Sequence, residues 1–141
     1  ARLCGDLLMR VPLGIPIVLR RVEFSGPSGV REIDVILDTG AVYTVMAWDV
    51  AKDIGYDPAV SPRRMPIVTA NGVIEAPLVT VEAIQVAELR AESVDVICHD
   101  IPEIAGIEGL VGLSFLQRFR TVIDYTTGIM EITAGKQTAA G

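Results

Sequence analysis

The strongest candidate for a reactive group is Asp38. It ends the run Val35-Ile36-Leu37 and opens the turn Asp38-Thr39-Gly40-Ala41. A short apolar, β-branched run bounded by a turn signal reads as a buried strand. The Asp38 carboxylate therefore sits where a strand leaves the core, a costly position for a charge unless it is paired or sheds its charge. A carboxylate set in an apolar wall is a candidate general acid or base. As a bare tripeptide, Asp-Thr-Gly also fits a strand-ending turn with no chemistry.

Other chemistries find less support. The chain has one histidine, His99, beside Cys98 on a segment that reads as a strand, so the two side chains point to opposite faces. That disfavours a Cys–His nucleophile. The Gly112-Leu113-Ser114-Phe115 run lacks the second glycine of a nucleophile elbow, and Ser114 reads as a helix-start residue. One histidine and the separated Cys4 and Cys98 give no zinc spacing, and Asp95 and Asp100 lack a calcium loop, so no metal and no cofactor is expected. No glycine-rich segment ends in Lys-Ser or Lys-Thr, which argues against a phosphate loop. Arg20-Arg21 and Arg63-Arg64 read as solvated charge, and Asp34, Asp49, Asp53, Asp57 and Asp124 as surface or capping groups.

The elements that must position Asp38 read as an all-β domain with short helices. Strands are expected over 15–24 and 31–37, joined by Ser25-Gly26-Pro27-Ser28-Gly29, with Ile33, Val35 and Leu37 on one inward face and Ile36 on the other. An extended segment over 43–46 precedes a helix over 47–54 that Gly55 terminates. Strands over 65–70 and 73–78 flank Asn71-Gly72, a strong hairpin signal. Strands over 79–86 and 91–98 alternate well, Leu113, Leu116 and Phe119 share a face of a helix over 112–119, and strands over 121–125 and 129–133 form a last hairpin. Many short strands with closely spaced turns suggest a small closed or sandwich-like β fold.

Composition agrees with a single domain. Half of the residues are hydrophobic and 21% are charged, enough for a core without disulfide staples. A net charge of −6 argues against a nucleic-acid surface. The apolar stretch 11–19 is broken by Pro12 and Pro16 and is too short to span a bilayer, so no membrane contact is expected from these residues. The first residue is Ala1, which leaves open a removed leader or a larger parent chain, and the compartment is undetermined.

Taken in order, these segments resemble the retropepsin-like aspartic proteases, the single-lobed relatives of pepsin that include retroviral proteases and cellular, bacterial-type homologues. The resemblance rests on Ile33-Asp34-Val35-Ile36-Leu37-Asp38-Thr39-Gly40-Ala41, followed by Tyr43-Thr44-Val45-Met46, the helix over 47–55, Thr69-Ala70-Asn71-Gly72 where the family places a hairpin flap, Leu110-Val111-Gly112-Leu113-Ser114-Phe115-Leu116, and Val122-Ile123-Asp124-Tyr125. It covers about residues 15–132 and is far more specific than the tripeptide. It implies a small closed β-barrel with one or two short helices over 15–133, an N-terminal extension over 1–14 and a flexible tail over 134–141. Where the family often has Ser, Thr or Asp after Asp-Thr-Gly-Ala, this chain has Val42, which removes a polar group that could hold substrate backbone.

The activity implied is hydrolysis of peptide bonds by an aspartic endopeptidase. That chemistry needs two carboxylates within about 3 Å that share one proton and titrate as a pair. One polarises a water and the other protonates the developing oxyanion. The chain holds a single Asp-Thr-Gly, so the second Asp38 is expected from another copy across a two-fold axis. The resemblance implies that Thr39 bonds across that axis, that Gly40 permits the tight turn, that Ala41 brings no hydroxyl to the carboxylate, and that the Thr69, Ala70, Asn71 and Gly72 flap closes over an extended peptide or protein substrate. The alternative is a catalytically inactive, protease-like module for peptide binding or dimerisation.

Overall fold

The structure, a computed structural model, describes residues 8–101 and 104–134. Ten strands and two short helices are described: β1 (Leu8–Pro12), β2 (Val18–Gly26), β3 (Gly29–Leu37), β4 (Thr44–Met46), α1 (Trp48–Asp53), β5 (Arg64–Thr69), β6 (Gly72–Val86), β7 (Leu89–Cys98), β8 (Ile107–Val111), α2 (Leu113–Leu116), β9 (Arg120–Asp124) and β10 (Ile129–Thr133). A 3-10 turn over Pro58–Val60 precedes β5, its first free N–H taken by the Asp57 carboxylate.

The main sheet runs β2-β3-β8-β4-β7-β6-β5, and a further β2–β6 pairing joins its first strand to its sixth. Six strands thus form a ring, with β5 hanging from β6 outside it. The inward face of β3 is the one expected, with Ile33, Val35 and Leu37 all buried. Its partner β2 turns Leu19, Val22 and Phe24 inward; a bulge between Leu19 and Val22 leaves Arg20 and Arg21 outside together. These side chains pack with Met46, Val50, Ile54, Val94, Phe115 and Met130 in the main core. Full burial of each large apolar side chain is worth about 1.5–3 kcal/mol.

Two local expectations are corrected. The segments 73–78 and 79–86 form one continuous strand, β6, because its pairing passes without a break from β5 to β7. The helix over 112–119 is only one turn, α2, which then tightens through bonds from Arg118 N–H to Phe115 O and Phe119 N–H to Leu116 O, since β9 already begins at Arg120. So short a helix owes its existence to tertiary packing: Phe115 is fully buried and lies 4.8 Å, centroid to centroid, from Phe119. Within the expected N-terminal extension, β1 pairs along its whole length with β10, which pairs in turn with β9 in a separate three-stranded sheet. Of the expected tail, residues 135–141 lie outside the described residues.

The acidic residues read as surface or capping groups take such places. Asp34 accepts from Arg20 and from Arg21 N–H, and Asp53 pairs with Arg31, which also holds Glu108 at 2.8 Å. Asp124 organises the turn into β10, and the Thr126 hydroxyl with the Thr126 and Thr127 N–H groups draws its carboxyl below the usual range. Asp100 accepts from Trp48 N–H at the start of α1.

Cys98 ends β7 fully buried, and burial alone pushes its thiol up to about 12. It is therefore a packed side chain with almost no thiolate near neutral pH. Peptide mapping after a thiol alkylator at neutral pH is expected to leave Cys98 unmodified in the folded protein and to label it fully in denaturant. Labelling of Cys98 at a similar rate in both states would contradict this packing.

Candidate active site

Asp38 follows β3 at the point where β3 and the parallel β8 end side by side, with Leu37 opposite Val111. The chain then crosses the end of β8 and returns as β4 on its far side, where Val45 faces Leu110 and Met46 faces Gly109. The Asp38 loop is thus a bridge over a strand end, and its bonds show how it is held. Asp38 N–H donates to Val111 O at 2.9 Å, Leu113 N–H to Ala41 O at 2.8 Å, and Ser114 N–H to Val42 O at 2.9 Å. The start of α2 therefore clamps the loop from behind. Gly112 is needed there, because a Cβ would stand 2.6 Å from both Ala41 O and Tyr43 O.

The loop wraps around its own carboxylate. Gly40 N–H donates to Asp38 Oδ1 at 2.9 Å, and Ala41 N–H to Asp38 O at 3.3 Å. Asp38 is half-buried, and Thr39 and Gly40 are exposed. Val42 beside them is 64% exposed, an apolar side chain at the rim of the loop.

Farther along, Thr44 is fully buried and Ser114 nearly so. Thr44 N–H donates to Ser114 Oγ at 2.9 Å, the two hydroxyl oxygens lie 3.0 Å apart, and Gly112 N–H donates to Thr44 Oγ1 at 3.2 Å. Ser114 is neither a nucleophile nor a simple helix cap; it closes the base of the Asp38 loop. Sequence reasoning passed over this pair. The signal available was a lone hydroxyl inside each of two apolar runs, Tyr43-Thr44-Val45-Met46 and Leu113-Ser114-Phe115-Leu116, since a buried hydroxyl requires a partner.

The hairpin of β5 and the first half of β6 carries the expected flap residues at its tip. Thr69 pairs with Gly72, so the two-residue loop is Ala70-Asn71 rather than Asn71-Gly72. Gly72, at φ +114°, starts the return strand. The Thr69 hydroxyl shapes the turn, donating to Gly72 O at 2.9 Å and accepting from Asn71 N–H at 3.2 Å. The flanking pair Val68 and Val73 is exposed. Nearer its root the hairpin joins a small second core, in which Ala76, Leu78, Met65 and Ile67 pack with Ile97 and with Tyr43 and Val45 from just beyond the Asp38 loop. That cluster sets the hairpin and the loop on one structural unit.

Other groups weighed for chemistry stand apart. His99 is half-buried at the end of β7, and its N–H donates to Met46 O. Arg63 is not simply solvated: it donates to Thr80 and lies 3.4 Å from Asp95. Among the described residues, no three His, Cys, Asp or Glu side chains come together as a metal site, and no helix is long and apolar enough to cross a membrane.

Comparison with known proteins places this geometry. A solved structure, that of a retropepsin-like aspartic protease from Rickettsia conorii, superposes with a TM-score of 0.62 at 17% identity, over 91% of this chain and 92% of that one. At that identity the likeness concerns the fold. No curated protein sequence matches the chain. The family model described as "gag-polyprotein putative aspartyl protease" matches residues 28–118, from the start of β3 through α2, and so includes the Asp38 loop and the hairpin. The chain belongs to this retropepsin-like aspartyl protease family.

Proposed function

We propose that the chain is an aspartic endopeptidase that works as a homodimer, with one Asp38 from each subunit. The observation that carries this reading is the Asp38-Thr39-Gly40 loop itself: a partly exposed carboxylate on a bridge clamped by β8 and α2, in a chain with one such loop. A two-fold axis beside Asp38 brings two carboxylates together, where like charges that close cannot both ionise and one proton is shared. The ionised member draws a proton from a water, which attacks the peptide carbonyl carbon. The protonated member gives its proton to the developing oxyanion, and as the C–N bond breaks a proton passes to the leaving nitrogen.

Thr39, exposed next to Asp38, is the residue proposed to bond across the axis. Thr69, Ala70, Asn71 and Gly72 form the tip that closes on an extended peptide. The exposed Val68 and Val73 give the hairpin an apolar surface suited to apolar substrate side chains.

The test is digestion of a denatured protein mixture, followed by mass-spectrometric mapping of the new termini, across about pH 3–9. Cleavage is expected to follow a bell. At the acid end both carboxylates are protonated and no base remains; at the alkaline end both are ionised and no acid remains. A flat profile over that range contradicts the dyad. Peptide binding without cleavage at any pH would support the second reading, an inactive peptide-binding module, for which the apolar Val42 at the loop rim is the favouring feature.

A further inference from the structure

The hydroxyl pair under the Asp38 loop has its protons assigned by its partners. A hydroxyl offers one donor and two acceptor positions. Ser114 Oγ lies 2.8 Å from the main-chain oxygen of Asp95, an acceptor only, and must donate to it. The proton between the two hydroxyls is therefore that of Thr44, and Ser114 Oγ accepts both Thr44 groups, N–H and O–H. Every position on Ser114 is used. Asp95 extends the chain of bonds outward. Its carboxylate accepts the Thr80 hydroxyl at 2.6 Å and faces Arg63 at 3.4 Å, while Arg63 also donates to Thr80 Oγ1 at 2.9 Å. Arg63 immediately precedes β5; its main-chain oxygen accepts Leu78 N–H at 2.9 Å, and the Ser61 hydroxyl donates to Leu78 O at 2.7 Å. That is the root of the flap hairpin.

We propose that Ser114 is a positioning residue for Asp38, and that through Asp95 the same chain of hydrogen bonds sets the flap root in register with the Asp38 loop. The proposal rests on the reading of Asp38 as a catalytic acid. A dyad across an axis tolerates displacement of only about half an ångström. The loop is pinned near Asp38 by Val111 and at its far end by Thr44. Without the Ser114 hydroxyl, two buried Thr44 donors lose their acceptor, and that end of the loop must move to find another. The flap root loses the opposite end of the chain when Arg63 is shortened.

The test compares Ser114→Ala, Thr44→Val, Thr44→Ser and Arg63→Met by steady-state kinetics and by amide exchange with mass spectrometry, on homodimers verified as folded at the assay temperature. Ser114→Ala and Thr44→Val are expected to lower kcat about 10- to 100-fold with KM within about twofold of wild type, the signature of a displaced reactive group. Thr44→Ser keeps the hydroxyl and is expected to retain kcat within about threefold. Arg63→Met is expected to raise KM about two- to fivefold, since only the exposed end of the chain is lost. Exchange should rise over 38–44 in Ser114→Ala and over 64–78 in Arg63→Met, with β2 and β9 unchanged. A folded Ser114→Ala with wild-type kcat overturns the proposal. So does exchange that rises evenly through the molecule, because that is the mark of lost stability alone. The exchange comparison is repeated in an Asp38→Asn background, where it does not depend on activity. If the wild type cleaves nothing, the catalytic reading falls by itself, and a local rise over 38–44 still supports the positioning while its absence overturns it.

Discussion

Asp38→Asn is expected to abolish peptide hydrolysis, lowering kcat by roughly 10³-fold or more, with the fold intact. The asparagine is nearly isosteric, and its carbonyl oxygen can still accept the Gly40 N–H that Asp38 Oδ1 accepts at 2.9 Å. The turn therefore keeps its bond, and stability should change by no more than about 0.5 kcal/mol. What is lost is the exchangeable proton of the pair: an amide neither draws a proton from water nor delivers one to an oxyanion. In the proposed dimer, at pH values where both carboxylates would ionise, the substitution also removes their repulsion, so there the variant should dimerise at least as well as the wild type. Activity of the purified variant within tenfold of wild type, with contaminating protease excluded, would sink the assignment of Asp38. Loss of activity together with loss of the folded spectrum would say nothing about chemistry, so a thermal melt accompanies the assay.

Subunit mixing is the second large effect. If each active unit needs two Asp38 carboxylates, an excess of Asp38→Asn chains should poison the wild type. With nine variant chains for each wild-type chain, random pairing leaves about one wild-type chain in ten with a wild-type partner, so activity per wild-type chain should fall about tenfold. Dilution tests the same requirement. Below the dissociation constant the active dimer varies with the square of concentration, so each halving should cut the rate roughly fourfold. The dimer need not be tight, because buried area does not convert simply into affinity. Sedimentation run beside the dilution series, with substrate present, supplies the species. Full activity per chain where only monomer sediments would show that the second acid lies within one chain.

Much of this site was legible because its signals are local. The Val35-Ile36-Leu37 run followed by Asp38-Thr39-Gly40 needs only period-two alternation and a turn, and β3 buries the three residues that alternation selects. The hairpin around Asn71-Gly72 was announced by its turn residues, although strand pairing moved the loop back by one residue to Ala70-Asn71. Gly55 ends α1 as expected, in a positive-φ conformation.

Other parts became visible only with long-range pairing. Strand β8 is five residues long with Glu108 and Gly109 inside it, a poor strand by composition; β3 on one side and β4 on the other make it one. Strand β1 holds an arginine and a proline, and its partner β10 lies more than a hundred residues away in the chain. The continuity of β6 past Pro77 depends on β5 and β7 taking successive halves of it. Thr44 and Ser114, separated by 70 positions, meet because the Asp38 loop crosses the end of β8 just where α2 begins. Residue type and short-range periodicity determined which carboxylate stands at a strand end and which turn closes the β5–β6 hairpin, since both are set by neighbouring dihedrals and alternating burial. Which strand lies under the loop, and which hydroxyl holds it, was decided by the tertiary structure, because a buried donor is satisfied by whatever the folded chain brings within hydrogen-bond reach, at any distance in sequence.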